Sequence, residues 1–334
     1  MTMIKKIINN PKKVAEEALH GLNLAYQGKT ILLSNASAIV KTTIHDQKVA
    51  LLVGGGSGHE PLFAGFVGTN LADGAVCGNV FAAPSPDQIL AATQAVNRGK
   101  GVLYLYGNYA GDNMNFDIAA ELATAMDIPT KSIRIWDDVA SAPLEKIEER
   151  RGIAGDLFVI KIAGASASSA ANLEELTRIT TKARDNIRSM GVAVSPGSIP
   201  ETGEPTFEIG EDEIEIGMGL HGEPGVAREK MMPANVLVDV MMEHILTDLP
   251  FVAGDEVCLL VNNLGATTMM ELLIANTRIR EILADKEISV YDTLVGSYCT
   301  SQEMAGFSIS LMKLDNELKK YYDMPADSLA LIKR

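Results

Sequence analysis

The first candidate for chemistry is a histidine at the end of a glycine-rich turn. The segment G-G-G-S-G-H-E-P follows an apolar run and contains Gly54, Gly55, Gly56, Ser57, Gly58 and His59. Glycines at the carboxyl end of a strand let backbone N–H groups approach a ligand, and open α/β sheets bind ligands at that end. We therefore interpret the segment as a ligand-binding turn; the alternative is a tight turn with a solvent-facing histidine. It matches neither a P-loop nor a full G-x-G-x-x-G fingerprint.

A second histidine, His221, lies in E-I-G-M-G-L-H-G-E-P-G, where residues 217, 219, 222 and 225 are glycine. The alternation predicts a strand, and the glycines indicate that a ligand or another backbone segment passes close beside it. A neutral imidazole at this position can be a base, a nucleophile or a metal ligand. A zinc site using both histidines stays an alternative, although no third ligand is marked by spacing.

A third polar segment, Y-G-N-Y-A-G-D-N-M-N-F, follows another buried run and opens a helix; it contains Gly107 and Asp112. Its polar residues are expected to line the same carboxyl-end crevice as the glycine turn. Asp112 is a candidate to bind a substrate hydroxyl, and the alternative is a helix N-cap or turn carboxylate.

Predicted strands and helices alternate through the first half of the chain, and they must position these residues. Short apolar runs predict strands buried on both faces at 49–53, 101–106, 132–136 and 157–160. Apolar residues at three- and four-residue intervals predict helices at 87–96 and 115–125. The first half is thus predicted to be an α/β domain with an open, mostly parallel sheet and helices on both faces.

The second half mixes elements in an α+β order. A polar helix at 171–189 precedes a connection rich in Pro, Gly and Ser, which predicts a domain boundary nearby. Beyond it we expect short strands at 207–209, 213–220, 256–261, 288–295 and 307–313, and helices at 234–247 and 269–283. The predicted domains are an N-terminal α/β domain over 1–188 and a C-terminal α+β domain over 189–334.

Composition narrows the class of protein. The 334 residues exceed the usual capacity of one hydrophobic core, and 47% are hydrophobic, which predicts two folded domains. A formal net charge of −14 argues against nucleic acid and anionic membranes as partners. No signal peptide or apolar run of about 18 residues is evident, so we expect a cytoplasmic protein. The three cysteines show no C-x-x-C pair, so neither disulfides nor a thiolate metal site is expected.

Several motifs in one order carry a family resemblance: GGGSGHEP, NYAGDNMNF, ERRGIAG, EIGMGLHGEPG, LVNNLGAT and YCTSQEMAGFSISLMKLD. Together they resemble the substrate-binding K subunit of dihydroxyacetone (glycerone) kinases. The resemblance runs from the opening KKIINNP to the closing LDNELKKYYDMPAD, which is essentially the full chain.

The resemblance implies roles for individual residues. His221 is expected to attack the carbonyl of a short ketose and hold it as a hemiaminal, and His59 to act as general base on the hydroxyl that is phosphorylated. Asp112 and Gly56 are expected to hold the substrate. The remaining substrate-binding positions are Gly55, Ser57, Gly58 and Gly107.

One position departs from the family pattern. Better-known members carry a lysine immediately before N-Y-x-G-D, whereas this chain has Gly107. Loss of that cationic donor opens room, so a larger ketose such as erythrulose, or a sensing role without turnover, becomes an alternative. The family contains such a sensor, a paralogue that binds dihydroxyacetone and assists a transcription activator.

The resemblance also implies partners. The related kinases hold the nucleotide on a separate L domain or subunit, so we expect no cofactor on this chain. The phosphoryl donor is then ATP-Mg on an L subunit, or an L subunit charged through the phosphotransferase system. A homodimer is expected, with no metal, nucleic-acid or membrane partner.

Overall fold

The computed structural model describes residues 5–334, which form two compact units. The N-terminal unit contains residues 5–135, 157–183 and 318–334, and the C-terminal unit contains 136–156 and 184–317. The described chain thus passes between the units four times. The boundary predicted after residue 188 lies close to one of these passages, at 183–184, whereas the other three were not predicted.

The helices, in chain order, are α1 Val14–Ala25, α2 Pro86–Val96, α3 Ala110–Thr124, α4 Asp156–Ala167, α5 Leu173–Asp185, α6 Ala234–Asp248, α7 Met269–Asp285 and α8 Asn316–Tyr322. Short 3-10 helices cover Pro11–Lys13, Ala64–Phe66 and Leu144–Glu149. None of the helices described between residues 5 and 334 combines the length and the apolarity needed to cross a bilayer.

The strands are β1 Thr30–Leu32, β2 Ala38–Lys41, β3 Ala50–Ser57, β4 Gly74–Val80, β5 Val102–Gly107, β6 Thr130–Ile135, β7 Ile187–Ser195, β8 Glu213–Ile216, β9 Ala227–Lys230, β10 Glu256–Asn263, β11 Ser289–Gly296, β12 Ala305–Leu314, β13 Ala326–Asp327 and β14 Ile332–Lys333. They form two sheets of six strands and one of two.

The N-terminal unit contains the mostly parallel sheet that the sequence predicts. Its order is β1-β2-β4-β3-β5-β6, with β4, β3, β5 and β6 parallel and β2 antiparallel to both β1 and β4. The central strand β3 is a continuous apolar run because it is covered on both faces. Val53 pairs with Ala75 on one side and Leu105 on the other. The strands predicted at 49–53, 101–106 and 132–136 are confirmed as β3, β5 and β6.

Two predictions at the junction of the halves are wrong. Residues 157–160 form the start of α4 instead of a strand. All four of their side chains are fully buried, so the helix is apolar on every side and its sequence carries no helical period. The helix predicted at 171–189 is shorter, because α5 ends at Asp185 and β7 begins at Ile187.

The C-terminal unit is α+β, as predicted. Its sheet has the order β11-β10-β12-β7-β8-β9, and only β10 and β11 pair in parallel. Apolar residues of α6 and α7, including Leu237, Met241 and Ile279, share one core with the sheet. The strand predicted at 213–220 ends at Ile216, since Gly217 has a φ of +84° that terminates the extended run. Residues 207–209 form no strand.

Buried polar contacts hold the C-terminal segment 318–334 in the N-terminal unit. The ammonium of Lys161, on the buried helix α4, donates to the backbone oxygen of Tyr321 at 2.8 Å. The hydroxyl of Tyr26 donates to Gly65 O at 2.8 Å and accepts from Leu329 N at 2.7 Å. Burial of the ammonium, with a smaller effect of the Lys333 charge, lowers the pKa of Lys161 from 10.5 to about 8.

This pKa predicts a pH-dependent effect of replacing Lys161 with Met. Between pH 8 and 10.5 the unfolded chain binds more protons at this lysine than the folded chain does. The stability contributed by Lys161 therefore rises with pH in that window, by at most about 1.4 kcal/mol per pH unit. We expect urea unfolding to show a larger destabilisation by Lys161→Met at pH 10 than at pH 7.5. An equal or smaller effect at pH 10 would show that the ammonium is not held in a buried state.

Candidate functional site

The glycine turn ends strand β3 under close steric restraint. A side chain at Gly55 would meet the ring of Phe63 at 2.4 Å, and one at Gly56 would meet Ala82 N at 2.8 Å. Ser57 is buried, and its hydroxyl donates to Gly78 O at 2.7 Å. Residues 54–57, predicted as part of a turn, are thus the last residues of β3; they pack against Phe63 and the 78–82 segment, and only glycine fits at the closest approaches.

His59 is buried at the end of this turn. Its side chain is 4% exposed, and its ring centroid lies 5.1 Å from that of Phe81 with a tilt of 34°. The backbone on both sides is fixed: Gly58 N donates to the Glu60 carboxylate at 3.0 and 3.1 Å, and Leu62 N donates to His59 O at 3.0 Å. The alternative of a solvent-facing histidine is therefore wrong.

Asp112 lies in the first turn of α3, which follows β5. The helix is capped at Tyr109 rather than at Asp112, so the N-cap interpretation of Asp112 is wrong. Its side chain is 9% exposed and benefits from the positive end of the helix dipole. Gly107 is the buried last residue of β5.

The glycine turn and Asp112 follow neighbouring strands. Because β3 and β5 are parallel and adjacent, both strands end at the same edge of the sheet. The structure thus brings the His59 turn, Gly107 and the start of α3 to one carboxyl edge, as the sequence predicts.

His221 lies in the C-terminal unit, in the loop that joins the antiparallel strands β8 and β9. The hydroxyl of Ser301 donates to Leu220 O, and Glu215 Oε1 accepts from Gly225 N at 2.9 Å. Gly225 is required where the loop closes, since a side chain there would lie 2.0 Å from Ile216 O. The loop is thus fastened through its own backbone on both sides of the histidine.

Glu223 orients the imidazole of His221. Its Oε1 lies 2.9 Å from His221 Nδ1, and its Oε2 accepts from His221 N at 2.8 Å. Burial by itself raises the pKa of Glu223, but the hydrogen bonds and charge of His221 outweigh it and lower that pKa to about 2. The ionised carboxylate accepts a hydrogen bond from Nδ1–H, so in the neutral ring the unprotonated nitrogen is Nε2. The side chain of His221 is 25% exposed, so part of it is open to solvent.

Sequence reasoning missed Glu223, although a signal was present. A carboxylate two residues after the histidine, with a glycine between them, can fold back onto the ring. The motifs LVNNLGAT and YCTSQEM also prove to support this loop: Asn262 Oδ1 accepts from Cys299 N at 2.9 Å and fixes the turn that carries Ser301.

The predicted site residues divide between the units. His59, Asp112, Gly107 and the residues of the glycine turn belong to the N-terminal unit, and His221 belongs to the C-terminal unit. Among residues 5–334, no group of three or more His, Cys, Asp or Glu side chains is placed to hold a metal ion. A cavity of about 730 Å³ adjoins the 78–83 segment, but neither His59 nor Asp112 lines it.

Comparison with known proteins gives one consistent family. Residues 20–330 match the Dak1 domain family. A Listeria innocua protein, named PTS-dependent dihydroxyacetone kinase 2, dihydroxyacetone-binding subunit DhaK, is 43% identical over 328 residues. That match covers 97% of this chain and 98% of the relative.

Two solved structures are similar over nearly the whole chain. The crystal structure of the dihydroxyacetone kinase of C. freundii has a TM-score of 0.91 at 30% identity; the match covers 99% of this chain and 61% of that one. The structure of the dihydroxyacetone kinase operon co-activator Dha-DhaQ has a TM-score of 0.90 at 30% identity; the match covers 95% of this chain and 98% of that one. One fold thus occurs in a kinase and in a co-activator.

The Glu223 contact predicts which ring nitrogen of His221 carries the proton. A carboxylate accepts from both Nδ1 and the backbone N–H, whereas a glutamine amide has only one oxygen. We expect long-range ¹H–¹⁵N spectra to show an unprotonated Nε2 in the wild type and a mixture of tautomers in Glu223→Gln. Glu229→Gln, an exposed change in β9, is the matched control and is expected to leave the spectrum unchanged. An Nε2-protonated wild type would contradict the assignment.

Proposed function

Because this chain belongs to the Dak1 domain family, we propose that it is the ketose-binding subunit of a dihydroxyacetone kinase. The observation that carries the proposal is the oriented, partly exposed imidazole of His221, with an ionised Glu223 on its Nδ1 side. The name of the Listeria relative supports dihydroxyacetone as the ketose and the phosphotransferase system as the source of phosphoryl groups.

Covalent capture follows from the chemistry of a neutral imidazole and a ketone. Nε2 attacks the carbonyl carbon, a C–N bond forms, and the carbonyl π electrons move to oxygen. The oxygen gains a proton from water, and the ring loses the one on Nδ1 to water by way of the Glu223 carboxylate, so the number of protons is unchanged. The product is a neutral hemiaminal. Glycerol has no carbonyl, so this step selects ketoses over polyols.

Phosphorylation then requires the loss of a proton from a terminal hydroxyl. We propose His59 as the general base, a role typically worth about 10²–10⁴-fold in rate. Asp112 holds the hydroxyl in line, which is a positioning effect. Gly55, Gly56, Ser57 and Gly58, at and just after the carboxyl end of β3, are proposed to contact the substrate through their backbone groups. The donor comes from a partner L subunit, which holds ATP-Mg or is charged by the phosphotransferase system.

A second candidate function is dihydroxyacetone sensing. The near-equal likeness to the co-activator favours it, since the same fold occurs there in a protein named as an operon co-activator. A third is a kinase for a larger ketose such as erythrulose, because Gly107 stands where better-known members carry lysine. The cytoplasmic location predicted from the sequence, and the homodimer implied by the family resemblance, are part of the proposal.

Substitution of each histidine is expected to abolish or reduce a different activity. After incubation with dihydroxyacetone, intact-mass spectrometry under non-denaturing conditions should show an adduct on the wild type and none on His221→Ala. His59→Asn should keep the adduct while ketose phosphate formation with an L subunit falls by about 10²-fold or more. His244→Ala, an exposed histidine of α6, is the matched control and should behave as wild type. An undiminished adduct on His221→Ala would refute the anchor.

An assay of ketose phosphate formation distinguishes the kinase function from the sensing function. We expect ketose phosphate to form when the wild-type protein is mixed with dihydroxyacetone and an L subunit, supplied either with ATP-Mg or with phosphotransferase components and phosphoenolpyruvate. Product in only one mixture identifies the donor. An adduct without product in either mixture would establish the sensing role and contradict the kinase assignment. Parallel reactions with erythrulose measure the effect of Gly107 on the choice of ketose.

A further inference from the structure

One arginine contacts both arms of the loop that carries His221. Arg151 Nη2 donates to Gly217 O at 3.1 Å, before the histidine, and its Nη1 lies 3.5 Å from Pro224 O, after it. Because the guanidinium is a rigid planar fork, it fixes the separation of these two carbonyl groups. Arg151 thus sets the width of the loop at its base.

Arg151 is itself held by a buried carboxylate. Its Nε and Nη2 lie 3.0 and 2.8 Å from Asp138 Oδ2, and the side chain of Asp138 is fully buried. The other oxygen of Asp138 accepts from Ala140 N at 3.0 Å, and Ser141 Oγ accepts from Arg151 N at 3.0 Å. Both the head and the backbone of Arg151 therefore have a fixed position.

The preceding residue, Arg150, ties the same segment to the end of α6. Arg150 donates to both oxygens of Asp248, at 2.9 and 2.5 Å, and Arg188 Nε donates to the same carboxylate. The side chain of Arg150 is 1% exposed. One arginine of the R-R pair thus anchors the segment, and the other reaches the His221 loop.

Arg151 also lies close to the carboxylate that orients His221. A Cβ placed on Gly219 would lie 2.4 Å from Glu223 Oε2 and 2.6 Å from Arg151 Nη1. The two charged atoms are therefore no more than about 5 Å apart. A positive charge at this distance attracts the carboxylate of Glu223 and restrains its orientation.

We propose that Arg151, held by Asp138, is a positioning residue for covalent ketose capture: it fixes the loop and the Glu223 carboxylate so that His221 Nε2 faces the carbonyl carbon. The proposal rests on the capture of a ketose by His221. Arg151 touches the loop carbonyls rather than the reacting atoms, so its effect is on geometry. Displacement of a reacting group by about 1 Å can cost about 10²-fold in rate.

The test measures the rate of adduct formation with dihydroxyacetone, by intact-mass spectrometry under non-denaturing conditions, in Arg151→Lys, Arg151→Ala and Asp138→Asn. We expect about a 10- to 100-fold slower rate for both Arg151 variants. Asp138→Asn should show a smaller loss, because it removes the anchor but keeps the guanidinium. Ethylguanidinium should restore part of the rate of Arg151→Ala, whereas ethylammonium should not. Arg278→Gln, a change at a half-buried arginine of α7 that contacts Asp239, is the matched control.

Two further readouts separate positioning from folding. The melting temperature of Arg151→Lys should stay near that of the wild type, and its His221 ring spectrum should show mixed tautomers. If the Arg151 variants capture dihydroxyacetone at the wild-type rate, the positioning role is refuted while capture stands. A loss that tracks a lowered melting temperature and resists guanidinium also refutes it. No adduct on the wild-type protein would instead refute capture by His221.

Discussion

The hydrogen bond between His221 Nδ1 and Glu223 is the constraint on which the proposed chemistry depends. An imidazole can add to a carbonyl only through an unprotonated nitrogen, and a free ring does not fix which nitrogen that is. Glu223 fixes it, because the pKa of about 2 keeps the carboxylate ionised and its second oxygen is occupied by His221 N. The same contact stops rotation of the ring. The orientation and the tautomer of the His221 ring thus depend on the same residue, Glu223, which lies two positions after it.

The structure positions its two glycine-flanked histidines by different physical means. His59 is held by burial against Phe81 and by a turn whose backbone groups are hydrogen-bonded on both sides. His221 is partly exposed, so its position depends on hydrogen bonds and ion pairs instead of packing. Besides Glu223, the groups that hold the His221 loop come from segments distant in sequence, namely Ser301 and the Asp138–Arg151 pair. Loss of one polar contact is therefore expected to affect His221 more than His59.

The spacing of apolar residues and glycines was sufficient to predict secondary structure wherever a segment had an unambiguous period or a distinctive turn. The strands β3 and β5 could be predicted because each contains a short apolar run next to glycine, although β3 continues through Gly54, Gly55 and Gly56 to Ser57. Helix α4 could not, since a helix buried on all sides has no polar face to reveal its period. The end of α5 was misplaced for a related reason: Ile187 and Met190 fit a helical spacing as well as a strand.

The amino-acid sequence by itself determined the fold class, both histidine turns and the family, because these depend on residue types at short, fixed spacing. It did not determine which distant groups hold His221, since Arg151 and Ser301 meet the loop only after β7, β8 and β12 pair. Nor did it determine that residues 318–334 return to the N-terminal unit, where Lys161 donates to Tyr321 O. Contacts of this kind depend on the path of the backbone through space, and only the tertiary structure decides them.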